Sequence, residues 1–254
     1  MNQTNRSGGL ASVLLTVCFA TLLITTAACS RSLPSTVETE ASLATTEYLD
    51  QRYGMNSTPE LLRLLKRVGT RLAGAVHGAA LDRESFQALE GDLLDYQWQV
   101  YVVKDRQPNA FSVGAGIIFI TEGLLRRLVS EAELAAVLSH EMAHQLLGHT
   151  REAISAQSGV TRDEPALAYS LEREIQADSL SLKLLKVARY DLRSATSALA
   201  LGYRESAENV SSVPPDWMAE RMANMERKIE RIGQFLPATG STREFNKVRR
   251  QLFG

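Results

Sequence analysis

His140-Glu141-Met142-Ala143-His144 is the stretch on which the reading of the chain depends. Just upstream, Ser130-Glu131-Ala132-Glu133 has the Ser-x-x-Glu form that starts helices, and Leu134, Val137, Leu138, Met142, Leu146 and Leu147 follow at helical spacing. The pattern predicts one helix with Ser130 as its N-cap. Histidines four apart on a helix are separated by ~400° of rotation and ~6 Å of rise, so both imidazoles leave the same face one above the other. That is the geometry a single zinc ion requires. Glu141 follows His140 by ~100°, too far round to ligate comfortably but beside the water that a metal activates, where a general base belongs. By themselves the five residues equally suit an amphipathic helix with two surface histidines.

A tetrahedral catalytic site needs a third protein ligand. Thirty residues beyond His144 comes Glu174-Ile175-Gln176-Ala177-Asp178, in a second helical segment running roughly from Ala166 to Val187. Glu174 and Asp178 are four apart and share a face, as the histidines do. The pair reads as Glu174, the third ligand, and Asp178, an acceptor for the outer N–H of a ligating histidine. Glu172 is the rival ligand, ~200° round the helix from Glu174 and without Asp178 on its own face. Taken alone, the pair also fits a solvated acidic helix.

His140-Glu141-x-x-His144 with Glu174-x-x-Ala177-Asp178 resembles the gluzincin metalloendopeptidases, the family of the CAAX prenyl protease, the HtpX-type proteases and small bacterial periplasmic lipoprotein proteases. The likeness extends to Pro108-Asn109-Ala110-Phe111-Ser112, Gly116 to Thr121, Gly123-Leu124-Leu125 and Glu131 to Leu138, and covers about Glu60 to Ile229. It implies one Zn²⁺ per chain and peptide hydrolysis with Glu141 as base. It also implies that Asn109, Ala110 and Phe111 lie on an edge strand where an extended substrate pairs through its backbone. Arg221 matches the family arginine, either stabilising an oxyanion or binding substrate, or forming an ordinary salt bridge. Where relatives often carry Thr-His-Pro, this chain has Val213-Pro214-Pro215, so a further inhibitory histidine is not expected.

The remaining sequence frames that site. Its 254 residues, 44% hydrophobic with net charge -1, suffice for one well-filled domain and argue against nucleic acid as a partner. Trp98 to Val103 alternates and is β-branched; with Asn109 to Val113 and Ile117 to Ile120 it predicts a small sheet packed on the metal helix. The expected fold is α+β, a mainly helical zincin-like domain whose sheet edge flanks the active-site helix. Pro59 opens an earlier helix whose buried face is Leu61, Leu62, Leu64, Leu65, Val68 and Leu72. His77 has no ligand partner at useful spacing. His149, on a continuous helix, would point ~140° away from His144, so helix capping or packing is its expected role.

Residues 1–29 read as a targeting segment: Arg6 precedes an apolar run from Leu10 to Ala28, which ends Thr26-Ala27-Ala28-Cys29. Small residues before Cys29 resemble a bacterial lipobox, with Thr26 where leucine is usual. Cys29 would then be lipidated, and Ser30 beside it resembles the signal for outer-membrane sorting; an uncleaved anchor is the alternative. Both put the domain on the periplasmic side of a bacterial cell envelope, attached to a membrane. Ser30 to Thr46, rich in Ser and Thr, reads as a flexible tether with a reach of roughly 20 to 25 Å, leaving 47–254 as the protease domain. Beyond Cys18 and Cys29 there is no cysteine, so the domain has neither a disulfide nor a thiol nucleophile. Together these readings predict a zinc endopeptidase acting on unfolded or misassembled envelope proteins. The competing reading is a quality-control or assembly-factor module that holds such proteins around a structural or latent zinc site.

Overall fold

The computed structural model describes residues 35–77, 96–156, 169–208, 215–233 and 242–254. Among them are helices α1 (Thr36–Tyr53), α2 (Pro59–His77), α3 (Glu122–Arg127), α4 (Glu131–Leu146), α5 (His149–Ala156), α6 (Leu171–Val187), α7 (Arg193–Glu208), α8 (Pro215–Ile232) and α9 (Thr242–Phe253), and strands β1 (Gln99–Val103), β2 (Ala110–Ser112) and β3 (Ile117–Thr121). The fold is α+β and mainly helical, as expected. The targeting segment with Cys29, and Val213 with Pro214, lie outside the described residues, as does the side chain of His77. No described helix is long and apolar enough to cross a membrane.

The helix α4 is the axis of the domain. Ser130 caps it by accepting from the N–H of Glu133, whose carboxylate reaches back to the N–H of Val129, one residue upstream of the usual capping-box partner. Leu134, Ala135, Leu138, Met142 and Ala143 are all buried, joining α4 to Leu61, Leu64, Leu65, Val68 and Leu72 of α2 and to Leu180, Leu182, Leu184 and Leu185 of α6 in one core. Leu62 departs from the expected buried face of α2 and is exposed. Phe245 and Val248 bring α9 onto the same core.

The strands form one sheet in the order β1-β3-β2, with β1 parallel and β2 antiparallel to β3. β3, in the centre, is buried along its whole length. At its end the chain enters α3 with Gly123 against the carbonyl of Arg106; a Cβ there would lie 2.1 Å from that oxygen, so only glycine fits. Gln145 on α4 stitches the β2–β3 hairpin to the helix: its amide oxygen accepts from the N–H of Gly116 and its amide nitrogen donates to the carbonyl of Ile117.

The expectation of a flexible tether through residue 46 fails from residue 36 onward. α1 starts there behind a complete capping box between Ser35 and Glu38, and it packs on the hairpin. Its inward residues are Glu38, Ser42, Thr45 and Leu49, so most of the buried face is polar and has no apolar rhythm to reveal it. Hydrogen bonding compensates: the Ser42 hydroxyl lies within bonding distance of the carbonyls of Val113 and Gly114, and the Tyr96 hydroxyl lies 3.4 Å from Glu38. The domain therefore begins no later than Ser35. α7 runs through Glu208.

Candidate active site

His140 and His144 project from one face of α4, and α6, capped by Ser170, packs across that face with Glu174 and Asp178. His140 Nε2 lies 3.1 Å from His144 Nε2; Glu174 carboxylate oxygens lie 3.4 Å from the first and 3.7 Å from the second. In a tetrahedron of donors ~2.0–2.1 Å from a zinc ion, donors stand ~3.3–3.4 Å apart, so the three side chains are close enough together to share one ion. They are the metal-compatible cluster found among the described residues. Two neutral imidazoles and one carboxylate form a donor set typical of zinc hydrolases, so the residues present fit the metal. Glu172, the rival, instead lies 3.4 Å from the amide nitrogen of Gln176.

Each histidine is held from behind. His140 Nδ1 lies 3.1 Å from Asp178 Oδ1. Asp178 in turn receives two bonds of 2.9 Å from Arg221, whose remaining guanidinium nitrogen is 2.8 Å from Glu174. All three nitrogens of Arg221 thus face carboxylates. Of the two readings of Arg221, these contacts match the salt bridge, with its guanidinium buried against Asp178 and Glu174 of α6.

His149 also departs from expectation, because α4 does not continue to it. The helix ends at Leu146, and Gly148, at φ 74°, takes a left-handed conformation that reverses the chain into α5. His149 Nδ1 comes back to 3.2 Å from His144 Nδ1, and its Nε2 lies 3.0 Å from Gln176 Oε1. Tyr169 stacks on the His144 ring at 4.0 Å between centroids. Neither residue carries a spacing signal, since one depends on the glycine turn and the other on a connection between helices.

The electrostatics of these side chains follow from their contacts. Burial opposes the charge of His140, but hydrogen bonds to Asp178 and Glu174 outweigh it and push the imidazole up to about 10. His144, 1% exposed, is held well below its usual range by burial and by the neighbouring His140. Although burial acts the other way, His140 holds Glu174 down at about 2. Burial pushes the carboxyl of Glu141 up to about 7, with His140 pulling against it.

These groups open onto a cavity of about 220 Å³, whose facing wall is Asn109 to Ser112. The β2–β3 pairing turns that wall into a backbone surface. Asn109 O accepts from Thr121, and Val113 N–H donates to Ile117 O. By the alternation of an antiparallel pair, the N–H and C=O groups of Ala110 and Ser112 therefore point away from β3. β2 ends the sheet, and among the described residues no strand pairs with its outer side.

Two histidines on one helix, a carboxylate from the next helix and a free sheet edge come together here as a metal-compatible site beside a backbone surface. The known proteins that the chain resembles are metallopeptidases. Residues 84–164 match Peptidase family M48; the match takes in His140, Glu141, His144 and His149 and stops ten residues before Glu174. The chain is 28% identical over 171 residues to the mitochondrial metalloendopeptidase OMA1 of Schizosaccharomyces pombe, covering 59% of this chain and 50% of that protein. It is 32% identical over 114 residues to the metalloprotease YcaL of Escherichia coli, covering 35% and 44%. A putative beta-barrel assembly-enhancing protease of Vibrio cholerae is 34% identical over 71 residues, 28% of this chain and 14% of its own length. The chain thus spans half or less of these relatives.

Proposed function

We propose that this chain is a zinc-dependent endopeptidase that hydrolyses peptide bonds of misfolded or unassembled proteins in a bacterial cell envelope. The observation that carries the reading is the convergence, on one cavity, of three spaced ligand atoms, the Glu141 carboxyl and the unpaired backbone of β2. One zinc ion would be held by His140, His144 and Glu174; when bound, it supplies Lewis acidity that polarises a carbonyl and brings a water's pKa towards ~7. Glu141 accepts the proton from the attacking water and returns it to the leaving amine. Asp178 holds His140 in the tautomer whose Nε2 carries the lone pair, and Arg221 holds Asp178.

Substrate would lie extended along Asn109, Ala110 and Phe111, adding a strand through the outward groups of Ala110 and Ser112. Such pairing reads a peptide backbone, which folded proteins seldom expose, and so favours unfolded chains. The envelope setting draws on the apolar run that ends at Cys29 and on the likeness to bacterial proteases, one named for β-barrel assembly. Lipidation of Cys29 and outer-membrane attachment belong to the same proposal.

The test pairs zinc content with casein cleavage for the unmutated chain and Glu141→Gln. One zinc in both and cleavage only in the unmutated chain is the expected result, with a chelator abolishing cleavage and added zinc restoring it. Cleavage by Glu141→Gln would refute the role given to Glu141. Zinc in both proteins with cleavage in neither would favour the holding module.

A further inference from the structure

We infer that Gln176 and His149 form a positioning relay that fixes the tautomer of His144, so that its Nε2 presents a lone pair to the metal. The inference rests on the metal-site reading above and extends it to residues outside the ligand set.

The direction of each bond follows from what its atoms can do. A carboxylate only accepts hydrogen bonds, so Glu172, 3.4 Å from the amide of Gln176, takes the amide nitrogen and turns the amide oxygen towards His149. That oxygen also only accepts, so His149 must donate to it from Nε2, across 3.0 Å. A neutral imidazole that donates from Nε2 carries its lone pair on Nδ1. His149 Nδ1 stands 3.2 Å from His144 Nδ1, and one of the two must donate. Since His149 offers the lone pair, His144 donates from Nδ1, which leaves the lone pair of His144 on Nε2. That nitrogen is the one facing His140 Nε2 and Glu174.

The reverse order fails at both ends. Were His149 protonated on Nδ1, its Nε2 and Gln176 Oε1 would oppose two lone pairs, and His144 would be forced to carry its proton on the metal-facing nitrogen. A doubly protonated His149 would impose the same proton on His144. Every bond is therefore satisfied in one arrangement, and it is the arrangement that leaves His144 ready to ligate. Glu172, set aside as a ligand, takes the remote end of the relay. Gly148 is what allows the relay, because only the chain reversal there returns His149 to the ring it orients.

Two measurements on the full chain test this. In the unmutated protein labelled with ¹⁵N-histidine, long-range nitrogen–proton correlation spectra should show His149 as the neutral Nε2–H tautomer; an Nδ1–H tautomer would overturn the relay. Zinc affinity, read by competition with a chromophoric chelator, should fall ~10–100-fold in Gln176→Leu and in His149→Leu. Unchanged affinity in Gln176→Leu would overturn the relay. If the unmutated chain itself binds no zinc, the metal-site reading fails first, and the relay falls with it as a metal-positioning device.

Discussion

His140 and His144 stand one helical turn apart on α4, yet the ground behind His140 is ionic and the ground behind His144 is neutral. Behind the first are Asp178 and the buried arginine that pairs with it; behind the second are an imidazole, an amide and an aromatic face. The difference follows from the helices. α6 runs beside α4 with acidic residues four apart, so its carboxylates reach His140 and the cavity. His144 lies deeper, where an unpaired carboxylate would cost several kcal/mol in lost hydration and where neutral acceptors can be buried more cheaply. One side would adjust the charge around a metal, and the other would fix geometry without adding charge.

The sharpest way to break this contrast is Asp178→Ala. It leaves Arg221 half-paired in a buried site and should cost ~3–5 kcal/mol of stability in urea unfolding of the metal-free protein, besides weakening zinc binding. A cost near 1 kcal/mol would mean that the ionic side is solvated and the contrast is only nominal. Next comes Glu141→Gln in the metal-free state. The folded protein binds the Glu141 proton at about 7, against 4.5 for the ordinary carboxyl, so the resulting stabilisation is present below 4.5 and lost as the pH rises through 7. Above pH 7 the buried charge is a burden. The metal-free Gln variant should therefore be more stable than the unmutated chain at pH 8, by up to ~3 kcal/mol, and this gain should vanish by pH 4; thermal melts at both pH values check it.

Ser42→Ala supplies a control outside both sides. Loss of the hydroxyl, whose one hydrogen is shared among the carbonyls of Glu38, Val113 and Gly114, should cost ~1 kcal/mol and raise KM by loosening β2, while zinc affinity stays unchanged. An equal loss of zinc would show that the hairpin and the metal site are not separate. The smallest effect is expected of Tyr169→Leu, ~0.5–1.5 kcal/mol from the stacked ring, with His149 keeping its tautomer.

The sequence carried the parts that depend on periodicity. Two histidines and two carboxylates at i, i+4 pointed to the faces that the structure brings together on one cavity, and β-branched alternation pointed to the strands. What escaped it came from polar packing and chain reversal. α1 buries Glu38, Ser42 and Thr45, so the usual signal of an inward face was missing and the segment read as a tether. His149 was projected along a helix that Gly148 ends, and an angular argument has no way to include a turn. Arg221 was visible as a residue but not as a partner, because its role comes from α8 crossing α6, a contact far apart in sequence.

The outer edge of β2 has a consequence for what the site would refuse. A peptide paired with Ala110 and Ser112 must supply N–H groups at alternate positions, and proline has none. A cleavage map would then be marked less by any favoured side chain than by an absence: gaps in the digest wherever proline falls in register with that edge, and indifference almost everywhere else.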